Sequence, residues 1–206
     1  MWLHLVDSSL NDIDKDIYIR NDYVDKLLKY TRTKQIIVVQ WQRRCGKSHI
    51  ILWLLKKMKI QKNKVFYVNK EKDENNILKS TQDLSDLFNI FCKERWLPKR
   101  IIIDEVQDIK NREIFIRSKY SDKKFKIILS WSNSHLLNWE FATYLSGRYI
   151  PLFVYPFWYD EYKVLIKEKK LHMAVKTKNF KNVNWYSFNK YIYSFKMSIF
   201  SFPNLS

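Results

Sequence analysis

The sequence predicts an α/β fold built on a five-stranded, mainly parallel sheet sandwiched by helices. Three observations carry that expectation. Apolar, largely β-branched runs recur at residues 35–40, 64–69, 100–104, 126–130 and 149–154. Four of them are near-continuous rather than alternating, as strands covered on both faces are. The stretches between them space their apolar residues at helical intervals, so strand and helix alternate and the crossovers should be right-handed. A chain of 206 residues, 46% apolar with four prolines, can bury one substantial core and is not compositionally disordered.

Taken in order, residues 21–30 read as a short helix, with Tyr23, Val24, Leu27 and Leu28 as its apolar positions. Strand 35–40 then runs into Gln42-Arg-Arg-Cys-Gly-Lys-Ser48 and a helix over 47–60. Strand, Gly-Lys-Ser loop and helix together make a cradle for a nucleoside triphosphate. Gly46 lets backbone N–H groups approach phosphate oxygens, and the helix N-terminus favours negative charge. Lys47 should reach the β- and γ-phosphates, and the Ser48 hydroxyl should ligate Mg²⁺. Gln42, Arg43, Arg44, Cys45 and His49 complete the candidate stretch, with Arg43 and Arg44 meeting phosphate or an adjacent subunit. The motif G-x-x-x-x-G-K-[ST] asks for glycine where this chain has Trp41. An indole there needs a backbone conformation that a Cβ resists and would take up space near the phosphates, unless it lies flat and exposed.

Strand 64–69 and a helix over 76–93 lead to Lys99-Arg-Ile-Ile-Ile-Asp-Glu-Val-Gln-Asp108. An apolar strand ending in Asp-Glu supplies what a Mg²⁺-dependent ATPase needs second: Asp104 to hold the metal shell and Glu105 to polarise water as general base. A buried strand meeting an acidic loop is the plain alternative; its place one strand downstream of Gly-Lys-Ser favours the catalytic reading. Gln107 faces either the γ-phosphate or a neighbouring loop. After a weak helix at 111–119, strand 126–130 ends in Ser130-Trp-Ser-Asn133, where Ser132 or Asn133 can approach the γ-phosphate while capping a helix over 134–145. His135 faces solvent or packs. Before the last strand, Gly147 precedes Arg148, which either offsets transition-state charge in its own or a neighbouring subunit or makes a structural ion pair.

This order of motifs resembles the bacterial and archaeal AAA-like P-loop ATPase family, whose ATPase core is normally followed by an uncharacterised C-terminal domain. The resemblance runs from about Ile19 to Tyr162. It rests on Gln42-Arg-Arg-Cys-Gly-Lys-Ser48, Ile103-Asp-Glu-Val-Gln107, Ser132-Asn-Ser-His-Leu-Leu137, Ala142-Thr-Tyr-Leu-Ser-Gly-Arg-Tyr149 and Tyr155-Pro-Phe-Trp-Tyr-Asp-Glu-Tyr162. It implies a nucleotide-binding core over 1–162, ATP and Mg²⁺ as ligand and cofactor, and ATP hydrolysis. It further puts Ser132 and Asn133 in the sensor strand and Arg148 in a Gly-Arg element, so that Glu105, Asn133 and Arg148 form the candidate catalytic set. Residues 163–206 then read as a short helical or irregular extension, the start of a C-terminal domain cut short. Three departures stand out: Trp41 and Trp131 replace family glycines, and Trp158 replaces a family serine. We attribute all three to single-base changes of GGA or UCA to UGA, which some reduced genomes read as tryptophan; UGG at these codons would sink the idea.

The formal net charge of +17 suits a nucleic acid, acidic lipid or phosphate-rich partner, although scattered lysines also describe a merely solvated surface. In 163–206, lysines interleave with Trp185, Tyr186, Phe188, Tyr191, Tyr193, Phe195, Phe200 and Phe202, a pattern that binds single strands or, as orphaned core, drives self-association. No apolar run reaches the ~18 residues of a membrane span, no leader is recognisable, and Cys45 and Cys92 have no metal or disulfide spacing. Cys45, in the phosphate loop, is either a redox-sensitive thiol or, as a lone loop cysteine usually is, just a small residue. The expectation is a reduced, cytoplasmic ATP-binding ATPase. A degenerate, non-catalytic paralogue with weak nucleotide binding and a basic nucleic-acid-binding module are the alternatives.

Overall fold

The computed structural model describes residues 3–11, 19–132, 143–161 and 163–164. The chain divides into two compact units, Met1–Pro156 and Phe157–Ser206. The sheet, its helices and the candidate site belong to the first. In the second, the Trp158 N–H donates to Glu161 at 2.9 Å and the Lys163 ammonium lies 4.1 Å from the Tyr159 ring centroid.

Five strands make the sheet: β1 (Ile36–Gln40), β2 (Val65–Asn69), β3 (Arg100–Asp104), β4 (Lys126–Trp131) and β5 (Tyr149–Phe153). Their order is β2-β3-β4-β1-β5 and every pairing is parallel. The first four are buried almost throughout, which is why their sequences run apolar without alternation. β5 is an edge strand and half-exposed, and it tolerates Pro151, whose missing N–H would break a ladder on an inner strand. Because all strands are parallel, the loops after β1, β3 and β4 leave from one edge of the sheet. That edge gathers the Gly-Lys-Ser loop, the Asp-Glu pair and the Ser130–Ser132 segment, which lie far apart in sequence.

The helices are α1 (Leu3–Asn11), α2 (Asn21–Tyr30), α3 (Lys47–Lys57), α4 (Thr81–Arg95) and α5 (Arg112–Ser121). α4 starts five residues later than the apolar pattern suggests. Asp73–Ile77 instead form a 3₁₀ turn, and Ser80 closes a capping box with Asp83 that fixes the helix start. α3 ends at Lys57, and Lys59, with φ 49°, carries the chain out of the helix. α1 was not anticipated. It buries Leu5, Val6 and Leu10, its Ser9 hydroxyl accepts the Asn69 N–H at the end of β2, and Asp7 receives two Arg95 donors at 2.6 and 2.8 Å. Of the helix expected over 134–145, residues 133–142 lie outside those described. Between sheet and helices, Phe66, Phe88, Phe91, Phe115 and Phe125 meet edge to face, with Phe66 and Phe91 fully buried. Truncating Phe91 to alanine would cost about 3–5 kcal/mol.

Candidate functional site

The loop after β1 turns on two left-handed residues, Arg44 at φ 65° and Gly46 at φ 90°. A Cβ on Gly46 would meet nothing within 4 Å, so backbone conformation and not crowding is what requires glycine there. Trp41 has φ 153°, the region that favours glycine, so the strain expected at this position is present. The indole does not stand free. It is half-buried and packs against Tyr155 (centroids 4.8 Å) and Phe153 (6.1 Å), beside the edge strand β5. The alternative of a flat, exposed ring is therefore not what the structure shows.

Lys47, the first residue of α3, is almost fully buried. Its ammonium donates to the carbonyls of Trp41 at 3.3 Å and Gln42 at 2.9 Å and lies 3.7 Å from Glu105 Oε1. A cation held by loop carbonyls is what an incoming phosphate can recruit. Cys45 is 2% exposed, its S–H donates to the Gln42 carbonyl, and burial pushes its thiol up. That environment favours the plain small-residue reading of Cys45 over the redox one. Gln42, Arg43, Arg44 and His49 are or border solvent-facing positions of the loop and the first turn of α3.

The acidic half of the site lies across the sheet edge. Asp104 has no exposed surface; its carboxylate receives the hydroxyls of Ser130 and Tyr67 (3.0 Å), and the neighbouring Ser48 hydroxyl also favours its charged form. Burial pushes its carboxyl above the ordinary range despite those three hydroxyls. Glu105, 2% exposed and at φ 58°, is pinned by its N–H to Ser130 Oγ at 2.9 Å and by Gln107 Nε2 to Oε2 at 2.5 Å. Gln107 Nε2 also reaches Ser132 Oγ at 3.2 Å, to which Arg43 Nε donates at the same distance. The other amide atom of Gln107, Oε1, is buried without a hydrogen-bond partner. A buried, unsatisfied acceptor beside a general-base candidate suits a site completed by a bound water or ligand. The Ser48 hydroxyl beside a buried carboxylate, next to a lysine and an open glycine turn, makes a set that fits Mg²⁺ and phosphate oxygens.

Not every expected residue arrives. Asn133 lies outside the described residues, as do His135 and the aromatic tail. Arg148 sits at the opposite end of β1, where its carbonyl accepts the Ile36 N–H and its guanidinium donates to Tyr144 O at 3.2 Å. Ile36 to Gln40 spans roughly 13 Å of strand, so Arg148 does not meet the phosphate loop of its own chain. The structure also adds residues. Glu71, two positions beyond β2, has its carboxyl pushed up by burial and then by Glu105 and Asp104. Strand order makes it findable, since every residue just past a strand end reaches this edge. Arg20 had no sequence signal. It is 5% exposed and joins the Cys45 carbonyl (3.2 Å) to the Tyr155 carbonyl (2.7 Å). Trp131, at the end of β4, is buried under the Arg112 guanidinium.

Comparison with known proteins agrees with this geometry. The model of a family described as an AAA domain matches residues 33–163. An uncharacterised protein of Haemophilus influenzae is 28% identical over 153 residues, covering 73% of this chain and 38% of its own length. One of Methanocaldococcus jannaschii is 30% identical over 128 residues, covering 62% and 28% respectively. The chain thus spans well under half of either relative. Among solved structures, PCH-2 of C. elegans superposes with a TM-score of 0.58 at 11% identity, over 85% of this chain and 54% of that one. The Hsp104–ADP complex of S. cerevisiae gives 0.58 at 12% identity, over 84% and 27%. At such identities these two likenesses concern the fold.

Proposed function

Since the chain belongs to the AAA-domain family of P-loop proteins, we propose that it binds Mg·ATP and hydrolyses it. The observation that carries this reading is the buried cluster in which Lys47 lies 3.7 Å from Glu105 while the Ser48 hydroxyl neighbours the Asp104 carboxyl. One cluster then offers a phosphate cation, a metal-binding pair and a base. Bound Mg²⁺ would supply charge compensation at the phosphates, held by Ser48 and Asp104. Lys47 exchanges its loop carbonyls for phosphate oxygens. Glu105, released from Lys47 and oriented by Gln107, accepts the proton of the attacking water. Ser132 and Arg43 stand beside Gln107 and line the water's approach.

The nucleotide cradle and the Asp-Glu strand both fall within 1–162, the core we assign to the ATPase. The 163–206 segment, with its nucleic-acid and self-association readings, lies outside the described residues except for Lys163 and Val164. No helix among the described residues is long and apolar enough to cross a membrane. The second reading, a non-catalytic nucleotide binder, draws its support from Trp41, whose φ of 153° stores strain where glycine would not.

Calorimetry and turnover on one set of samples test the proposal. Wild type should bind Mg·ATP in the micromolar range. Lys47→Ala should lose that binding, and Glu105→Gln should keep it while turnover falls at least ~100-fold. Binding without turnover in wild type would favour the non-catalytic reading, and absence of both would overturn the proposal.

A further inference from the structure

The strand order gives the site a direction. β4 and β3 lie on one side of β1 and β5 lies on the other. Asp104, Glu105 and Ser132, the groups suited to metal, water and terminal phosphate, all belong to the β3–β4 side. A nucleoside triphosphate is a linear ligand with its base at the end remote from the terminal phosphate. Seated on the loop after β1 with its terminal phosphate towards Glu105, it directs its base to the β5 side.

That side carries a built aromatic ledge. Trp41 packs against both Tyr155 and Phe153, and these two side chains remain 43% and 41% exposed, so aromatic surface is left for a ligand to cover. The ledge is fastened to the phosphate loop. Arg20 donates at once to the Cys45 carbonyl within the loop and to the Tyr155 carbonyl. Its guanidinium lies 4.3 Å from the ring centroid of Tyr23, whose hydroxyl accepts the Tyr155 N–H at 3.3 Å. The spacing between phosphate cradle and ring faces is therefore set before any ligand arrives. The ledge offers π-faces and few polar side-chain groups, the Tyr155 hydroxyl and the Trp41 indole N–H, to read a base edge. Stacking on such a surface scales with ring area and is tolerant of edge chemistry.

We propose that the Trp41–Phe153–Tyr155 ledge is the base subsite and selects purine over pyrimidine nucleoside triphosphates, taking adenine and guanine alike. The proposal rests on the phosphate-site reading above and assigns Trp41, the departure from the loop motif, a part in binding.

The test is calorimetric titration of wild type, Tyr155→Ala and Tyr155→Phe with the Mg²⁺ complexes of ATP, GTP, CTP and inorganic tripolyphosphate. Wild type should bind ATP and GTP within about threefold of each other and CTP at least ~5-fold more weakly. Tyr155→Ala should weaken ATP and GTP by about 5- to 100-fold and leave tripolyphosphate unchanged, because its backbone bonds to Arg20 and Tyr23 survive. Tyr155→Phe should restore both. Phe153→Ala is the second variant should Tyr155→Ala fail to fold. Equal loss of ATP and tripolyphosphate in the alanine variant, or CTP bound as tightly as ATP, would overturn the ledge. Tripolyphosphate bound as tightly as ATP would overturn it while leaving the phosphate site standing. Neither ligand bound by wild type would overturn both readings together.

Discussion

Asp104 is where folding and chemistry oppose each other most directly. It has no exposed surface, and burial raises its carboxyl above the ordinary value of 3.8. An acid with a raised folded pKa holds its proton more tightly in the native state than in the unfolded chain. Its contribution to stability is therefore complete below 3.8 and is lost as pH rises towards the folded value. Near neutral pH the metal-free protein bears the cost of burying this acid, whether as a charge or as a proton taken up, and a bound cation would offset it. Asp104→Asn should accordingly raise the melting temperature of the metal-free protein near neutral pH, an advantage that shrinks in mild acid. The same variant should lose the further stabilisation that Mg·ATP gives wild type. Thermal unfolding in a chelator and then with Mg·ATP reads both effects; an Asn variant less stable than wild type in the chelator would refute the argument. Trp41 shows what single-residue legibility means. The motif alone flags position 41 as a place for glycine, and φ 153° agrees. Where the indole goes depends on Phe153 and Tyr155, more than a hundred residues away, which no local pattern encodes.

At the scale of elements, the four strands β1 to β4 were legible because burial on both faces leaves an uninterrupted apolar record. α1 was not, because its buried positions, Leu5, Val6 and Leu10, are interrupted by Asp7, Ser8 and Ser9, and the tertiary partners of Asp7 and Ser9, namely Arg95, Asn69 and Asn75, lie far along the chain. The start of α4 was misplaced because Ile77 and Leu78 extend an apolar rhythm into a 3₁₀ turn, while the capping box at Ser80 and Asp83 carried the correct boundary. That box is testable. The Ser80 hydroxyl, before any other cause, holds the Asp83 carboxyl below 3.8. A depressed acid stabilises the fold above its unfolded value and loses that contribution as pH falls through the folded one. Ser80→Ala should cost about 1 kcal/mol in urea unfolding at neutral pH. Part of that difference should disappear in acid, where Asp83 is protonated in both proteins. A pH-independent difference would assign the loss to the hydroxyl alone.

At the scale of the molecule, parallel order divides the labour between two edges of one sheet. The C-terminal edge holds Lys47, Ser48, Asp104 and Glu105, while Arg148 lies at the other, in a cleft lined by Ile36, Arg117, Tyr120, Ser121 and Leu145. The sequence could name both sets but not their separation, since the distance from Arg148 to the loop is fixed by β1 running between them. Arg148 is exposed, and among the described residues its side chain donates to the Tyr144 carbonyl. A catalytic role for it therefore requires a second copy of the chain, whose phosphate loop it would approach from outside. Complementation decides the matter. Arg148→Ala and Glu105→Gln should each be nearly inactive alone. An equimolar mixture should recover about a quarter of wild-type turnover, because roughly one site in four then pairs an intact Glu105 with an intact Arg148 from its neighbour. Turnover per chain of wild type should rise with protein concentration over the same range. Full activity of Arg148→Ala, or a mixture no better than its parts, would leave this arginine to the structure of the far edge.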